Sequence, residues 1–200
     1  MRMLNKAHSE RMYTAMEFMS YTGDVNIADA RYELIDGYIY MMSAPSLTHN
    51  RIVKFIYEQF AAHFKAGACE VFILDVDVFL YDEKRKAENS KDDCVNVYKP
   101  DVFVVCDKQK MKKNGIEGAP DLVIEVVSES NWHNDYVYKL NSYMRYGVKE
   151  YWIVDYNANR IAVYVNAPDG VMKIYSFSDV VKSDIFNGLQ VDFSEFGGEK

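Results

Sequence analysis

Apolar residues recur along this chain with two periods, and the switches between them mark out its elements. From Ser9 to Met19, Met12, Ala15, Met16 and Met19 share one side of a short helix. RYELIDGYIYMMS, from Arg31, predicts two short strands around the turn dipeptide Asp36-Gly37. Pro45 and Ser46 interrupt, and Ile52, Val53, Ile56, Phe60 and Phe64 then follow helical spacing until Gly67. In EVFILDVDVFLY, Phe72, Leu74, Val76, Val78 and Leu80 alternate with Ile73, Asp75, Asp77 and Phe79. That alternation predicts one strand with an apolar and a mixed face, with Asp75 and Asp77 on the solvent side. Residues 82–99 are crowded with charge and read as a solvated, mobile loop.

Strands are expected at DVFVVCD, DLVIEVVS and EYWIVDY, the first two directly after Pro100 and Pro120. Between the last two, YVYKLNSYMRYGV predicts a helix with Tyr136, Leu140, Tyr143 and Met144 as its apolar stripe and Gly147 at its end. A turn over 157–159 leads into RIAVYV and VMKIYSF, and FNGLQVDFSEF closes the chain as an irregular strand. Near-continuous apolar runs such as LVIEVV imply strands covered on both faces, and strand–helix–strand over LVIEVVS, YKLNSYMRY and EYWIVD is a βαβ-like unit. The expected fold class is therefore α/β or α+β: a central mixed sheet flanked by helices. One domain over 1–200, with 1–25 as a helical extension, suits the length.

Composition narrows the picture. Hydrophobic residues make up 49% and charged residues 26%, which excludes a disordered chain. A net charge of -7 argues against a protein that coats nucleic acid through bulk positive charge. Cys69, Cys94 and Cys106 are odd in number and form no C-x-x-C pair, which predicts a reducing compartment and no disulfide scaffold or thiolate zinc site. No signal-peptide core or membrane-length apolar run occurs, so a soluble, cytoplasmic protein is expected.

The chemistry lies in acids set inside core strands. Glu125 stands between Ile124 and Val126, where an unpaired carboxylate would be costly to bury. Asp101 opens the strand after Pro100, 24 residues earlier (125 − 101), a separation that suits neighbouring strands. Such strands lie about 4.8 Å apart, so the two carboxylates can share one divalent cation. Lys139, on the next helix, falls about 60° from Tyr136 and about 40° from Tyr143, at the border of the stripe facing the sheet. Two carboxylates, a metal and a lysine suit metal-assisted phosphodiester hydrolysis.

Pro100-Asp101, LVIEVVS with Glu125, and YKLNSYMRYGVKEYWIVD together resemble the PD-(D/E)XK nuclease superfamily, and within it the Uma-type restriction-endonuclease family. The resemblance runs from about Tyr32 to the C-terminus and includes YELIDGYIYMMSAPSLTH, PDVFVV, APDLVIEVVSES and GVKEYWIVD. It implies a restriction-endonuclease-like core, Mg²⁺ (with Mn²⁺ able to substitute), and cleavage of DNA, with a homodimer expected. Asp101, Glu125 and the backbone carbonyl of Val126 would be metal ligands. The position two after Glu125 is Val127 where the superfamily has lysine, and Lys139 matches the lysine this family supplies from the following helix. Glu33 in YELIDG matches a further acidic residue that would assist the metal or a water. His49 and Ser128 are neighbours of the implied site.

Each residue also has a plainer explanation. Asp101 could be a strand-start carboxylate held by backbone N–H groups, and Lys139 could snorkel from a helix flank. Glu33 could be a solvated hairpin residue, and His49 a structural residue at a helix start. Ser128 could merely end its strand. The abundant tyrosines suit base stacking or core packing equally. The main functional reading is a metal-dependent DNA endonuclease. The alternatives are a non-catalytic interaction or DNA-binding protein with the same fold, and a hydrolase of small phosphoesters.

Overall fold

The computed structural model describes residues 6–8, 11–23, 31–65, 67–81, 94–127 and 134–198. Along the chain these form strand β1 (Lys6–His8), helix α1 (Ala15–Thr22), strands β2 (Tyr32–Ile35) and β3 (Tyr38–Met41), and the long helix α2 (Leu47–Phe64). Strands β4 (Glu70–Ile73), β5 (Val78–Leu80), β6 (Asn96–Tyr98), β7 (Val102–Val105), β8 (Met111–Lys112), β9 (Gly115–Glu117) and β10 (Leu122–Val126) follow. A single wide turn of π-helix, Asn134–Lys139, runs into α3 (Leu140–Tyr146). The chain then forms β11 (Glu150–Asp155), β12 (Arg160–Val165), β13 (Val171–Tyr175), β14 (Val180–Lys182), β15 (Gln190–Asp192) and a final 3₁₀ segment.

The fold is mixed α+β. Its mixed sheet, in the order β13-β12-β11-β10-β7-β4, pairs β10 parallel with β11 and antiparallel with β7. A seven-stranded sheet, β1-β3-β2-β6-β5-β9-β8, accompanies it. Side chains of the six-stranded sheet alternate between two cores, as strand geometry requires. Val102, Val104, Leu122, Ile124 and Trp152 pack with Ile52, Val53, Ile56 and Phe60 of α2. Phe103, Val105, Val123, Tyr151 and Ile153 pack the other way, with Tyr143 of α3 and residues of the second sheet. Burying such a side chain stabilises by roughly 1.5–3 kcal/mol, so the alternation fixes the strand register and with it which way Glu125 points.

Several expectations need correction. EVFILDVDVFLY is two strands in different sheets, because Leu74 and Asp75 both take left-handed backbone conformations (φ 42° and 54°) that end β4. The expected loop over 82–99 lies outside the described residues as far as 93. Its end is buried strand β6, where Asn96 accepts a hydrogen bond from the Asp36 N–H. The first helix begins at Ala15, held by a reciprocal capping box between Thr14 and Glu17, rather than at Ser9. Cys69 and Cys106 are joined by a disulfide, contrary to the reading of the cysteines as reduced. The physical reason is the β4–β7 pairing, in which Glu70 faces Val105 and the two cysteines stand one step beyond. Among the described residues no helix is long and apolar enough to cross a membrane.

Candidate functional site

Antiparallel pairing of β7 and β10 sets Ile124 opposite Val102, so Asp101 and Glu125 stand at the next step of the register. Asp101 Oδ2 accepts the Val126 N–H at 2.8 Å, which ties the carboxylate to the end of β10. It is also hydrogen-bonded by His49 Nε2 at 3.1 Å. His49 reaches it from the first turn of α2, whose start is fixed by Ser46 accepting the His49 N–H at 3.1 Å. Burial alone would lower the His49 pKa, but the hydrogen bond and charge of Asp101 outweigh it and leave it raised.

Glu125, across the register from Asp101, extends toward α3. Its Oε1 accepts from Lys139 Nζ at 3.0 Å and from the Tyr143 hydroxyl at 2.8 Å. Lys139 Nζ lies 3.0 Å from Glu33 Oε1 as well and 3.6 Å from Asp135 Oδ1, and 5.9 Å from the centre of the Tyr98 ring. Glu33 is brought in from β2, and its Oε1 also accepts the Lys99 N–H at 3.0 Å. Asp135 and Lys139 come from the same π-turn, four residues apart. A π-turn of this kind widens the helix and often marks a functional site.

The cluster is buried and anionic. Among the described residues, Glu33 (3% exposed), Asp101 (6%), Glu125 (3%) and Asp135 (5%) pair with the cations Lys139 (4%) and His49 (6%). Burial, followed by the charges of its acidic neighbours, drives the Glu125 pKa well up against the pull of Lys139. Burial likewise pushes Asp135 up to about 7. Lys139 is held well above the ordinary lysine value, because Glu125, Glu33, Asp135 and Asp101 together overcome the burial that opposes its charge. Its ammonium is therefore a fixed cation and not a proton acceptor.

A surplus of buried negative charge is costly unless a cation answers it. Oxygen donors of this kind suit a hard divalent cation such as Mg²⁺ or Mn²⁺. Among the described residues no three histidine, cysteine or carboxylate side chains are placed to hold a metal ion together. A set of two carboxylates and a main-chain carbonyl instead leaves positions for water and substrate, as magnesium sites at phosphates usually do. The residues fit such an ion on charge and donor chemistry.

A small cleft reaches the cluster, with His49, Asp101, Glu125, Val126, Asp135 and Lys139 among its walls. Asp101, Glu125, Lys139, Glu33 and His49 are thus brought together, and Ser128 lies outside the described residues. Asp77 is held by Lys99 at 2.5 Å, and Asp75 by Arg31 at 2.6 Å. Asp135, Tyr143 and Arg31 were missed from sequence. An acid four residues before a cationic side chain on a helical segment was the available signal for Asp135. Tyr143 was hidden among the apolar stripe, and nothing in sequence singled out Arg31.

A family model described as "Putative restriction endonuclease", Uma2, matches residues 16–194. The chain is 27% identical over 148 residues to an uncharacterized protein, slr1290, of Synechocystis sp. PCC 6803, covering 74% of this chain and 72% of that one. A crystal structure from Anabaena variabilis, titled a putative nuclease of DUF820, superposes with a TM-score of 0.70 at 17% identity. That match covers 92% of this chain and 98% of the other, and it shows the shared fold.

Proposed function

This chain belongs to the Uma2 restriction-endonuclease family, and on that premise we propose that it is a metal-dependent endonuclease hydrolysing DNA phosphodiester bonds. The observation that carries the reading is the convergence of Lys139 Nζ on Glu125 and Glu33, 3.0 Å from each, in the cleft that Asp101 also lines. Asp101, Glu125 and the Val126 carbonyl would hold the ion. When bound, a divalent cation supplies Lewis-acid polarisation of the phosphoryl oxygen and an acidified water.

The protein's own groups do the rest. His49 and the Val126 N–H fix the orientation of Asp101. Tyr143 and Lys139 fix Glu125. Lys139, protonated at any working pH, stabilises negative charge that develops on the phosphate. Glu33 and Asp135 help hold the ammonium in place, 3.0 and 3.6 Å from it.

The test is incubation of supercoiled plasmid with purified protein and Mg²⁺ or Mn²⁺. Nicking by the wild type that falls at least a hundredfold in Asp101→Ala and Glu125→Ala is expected. No nicking by the wild type, or equal nicking by Asp101→Ala, rejects the reading.

One observation favours a second reading, a non-catalytic DNA-binding or interaction protein that keeps the fold. Lys139 is already engaged by three carboxylates, which a purely structural ion cluster would also produce. Calorimetric titration with Mn²⁺ separates the two, since the enzyme requires metal binding that Glu125→Ala abolishes.

A further inference from the structure

Arg31 directly precedes β2 and lines the same cleft as Asp101, Glu125 and Lys139. Its side chain is only 24% exposed. Nε lies 2.6 Å from Asp75 Oδ1, but the pair is not aligned as a hydrogen bond. Both Nε and Nη2 are buried without a hydrogen-bond acceptor among the described residues. Of the other cations of the cleft, Lys139 is committed to three carboxylates, and His49 engages Asp101 through Nε2 and leaves one ring nitrogen, Nδ1, buried without a partner. Arg31 is therefore the lining cation with two buried donors that await an acceptor. A buried donor left unsatisfied is costly, and an incoming anion would recover that cost.

The backbone that meets Arg31 is strained. Leu74 and Asp75, neither a glycine, take φ of 42° and 54° in succession. Each such residue carries an energetic penalty that a glycine there would not. The turn is tied to the site, because the Leu74 N–H donates to the Asp101 carbonyl at 3.2 Å. Its effect is to end β4 beside Asp101 and carry the Asp75 carboxylate to the Arg31 guanidinium. Strain that persists next to a reactive cluster is a pointer to function. A guanidinium presents its donors in a planar fork that matches two phosphate oxygens.

We propose that Arg31 binds a backbone phosphate of DNA in this cleft and that Asp75 is its positioning residue. The substrate class rests on the nuclease reading above, while the anion contact rests on Arg31 itself.

The experiment measures fluorescence anisotropy of a fluorescein-labelled 20-base-pair DNA duplex with full-length protein in Ca²⁺, over a series of salt concentrations. Arg31→Ala is expected to weaken binding about tenfold or more. It should also make the slope of log Kd against log salt shallower by about 1, the signature of one lost phosphate contact. Arg31→Lys, which keeps the charge but not the fork, should retain the wild-type slope with an intermediate affinity. A merely structural arginine would lower affinity without moving the slope.

An unchanged slope in Arg31→Ala, or a wild type that does not bind the duplex, overturns the proposal. Thermal melting of each variant identifies any that is misfolded, and Arg31→Lys then decides alone: a slope lowered to that of a lost contact overturns the proposal, and a retained one upholds it. A wild type whose binding shows the Arg31-dependent slope, yet which nicks no plasmid, upholds Arg31 and rejects catalysis. Nicking with an Arg31-independent slope does the reverse.

Discussion

Asp135 is buried beside Lys139, and burial more than any charge sets its behaviour, lifting its pKa from 3.8 to about 7. A carboxyl raised on folding binds its proton more tightly in the native state than in the unfolded chain. Its contribution to stability is complete below pH 3.8 and is lost as pH rises through about 7. The loss amounts to at most about 4 kcal/mol, at 1.36 kcal/mol per unit. In EDTA, wild-type stability from urea unfolding should therefore carry a component that falls between pH 4 and 7 and is missing in Asp135→Asn. Parallel pH profiles for the two proteins would remove Asp135 as its source. Asp101 and Glu125 were legible in sequence because a carboxylate inside an apolar strand has few innocent explanations. Asp135 was not, because it sits in the polar stretch SNWHNDYV, where only the folded chain reveals that it is buried.

Alternation of apolar residues located most strands but could not show where one sheet gives way to another. From Phe72 to Leu80 the period of two continues unbroken, yet two left-handed residues divide it between sheets. Backbone handedness at a leucine and an aspartate leaves no trace in hydrophobicity, so the break was invisible. Strands β8 and β9 were missed for a related reason: they are short, and the pairing of β9 with β5 is settled by close packing at Gly115. That residue has φ 131°, and a Cβ there would stand 2.3 Å from the Asp77 carbonyl oxygen. The same carbonyl accepts the Ile116 N–H at 2.8 Å, so it cannot retreat without breaking the β5–β9 ladder. Gly115→Ala should destabilise by about 3 kcal/mol or more, combining backbone strain with overpacking. Gly170 has φ 50° and nothing within 4 Å, so Gly170→Ala should cost only about 1–2 kcal/mol. Urea midpoints of the two variants make the comparison, and equal losses would show that backbone conformation, rather than the approach of Asp77, governs both sites.

At the scale of the whole molecule, a net charge of -7 and a buried acidic cluster oppose the approach of a polyanion. A divalent ion at Asp101 and Glu125 would relieve both the internal repulsion and the barrier to DNA. Because it binds the native cluster and not the dispersed acids of the unfolded chain, it must also stabilise the fold. At a hundredfold excess over its dissociation constant the gain is about 2.7 kcal/mol. For a chain of this size that raises the melting temperature by about 5–10 °C. The ion competes with protons for Glu125, whose pKa burial has raised, so metal affinity should increase with pH. Mn²⁺ should thus raise the melting temperature more at pH 8 than at pH 5.5, and the increment should vanish in Glu125→Gln. That substitution keeps the shape of the side chain while removing its charge, so loss of the increment reports the ion and not the packing. A shift of equal size at both pH values, or one that survives Glu125→Gln, would mean that Mn²⁺ binds elsewhere and that Lys139 alone balances these acids.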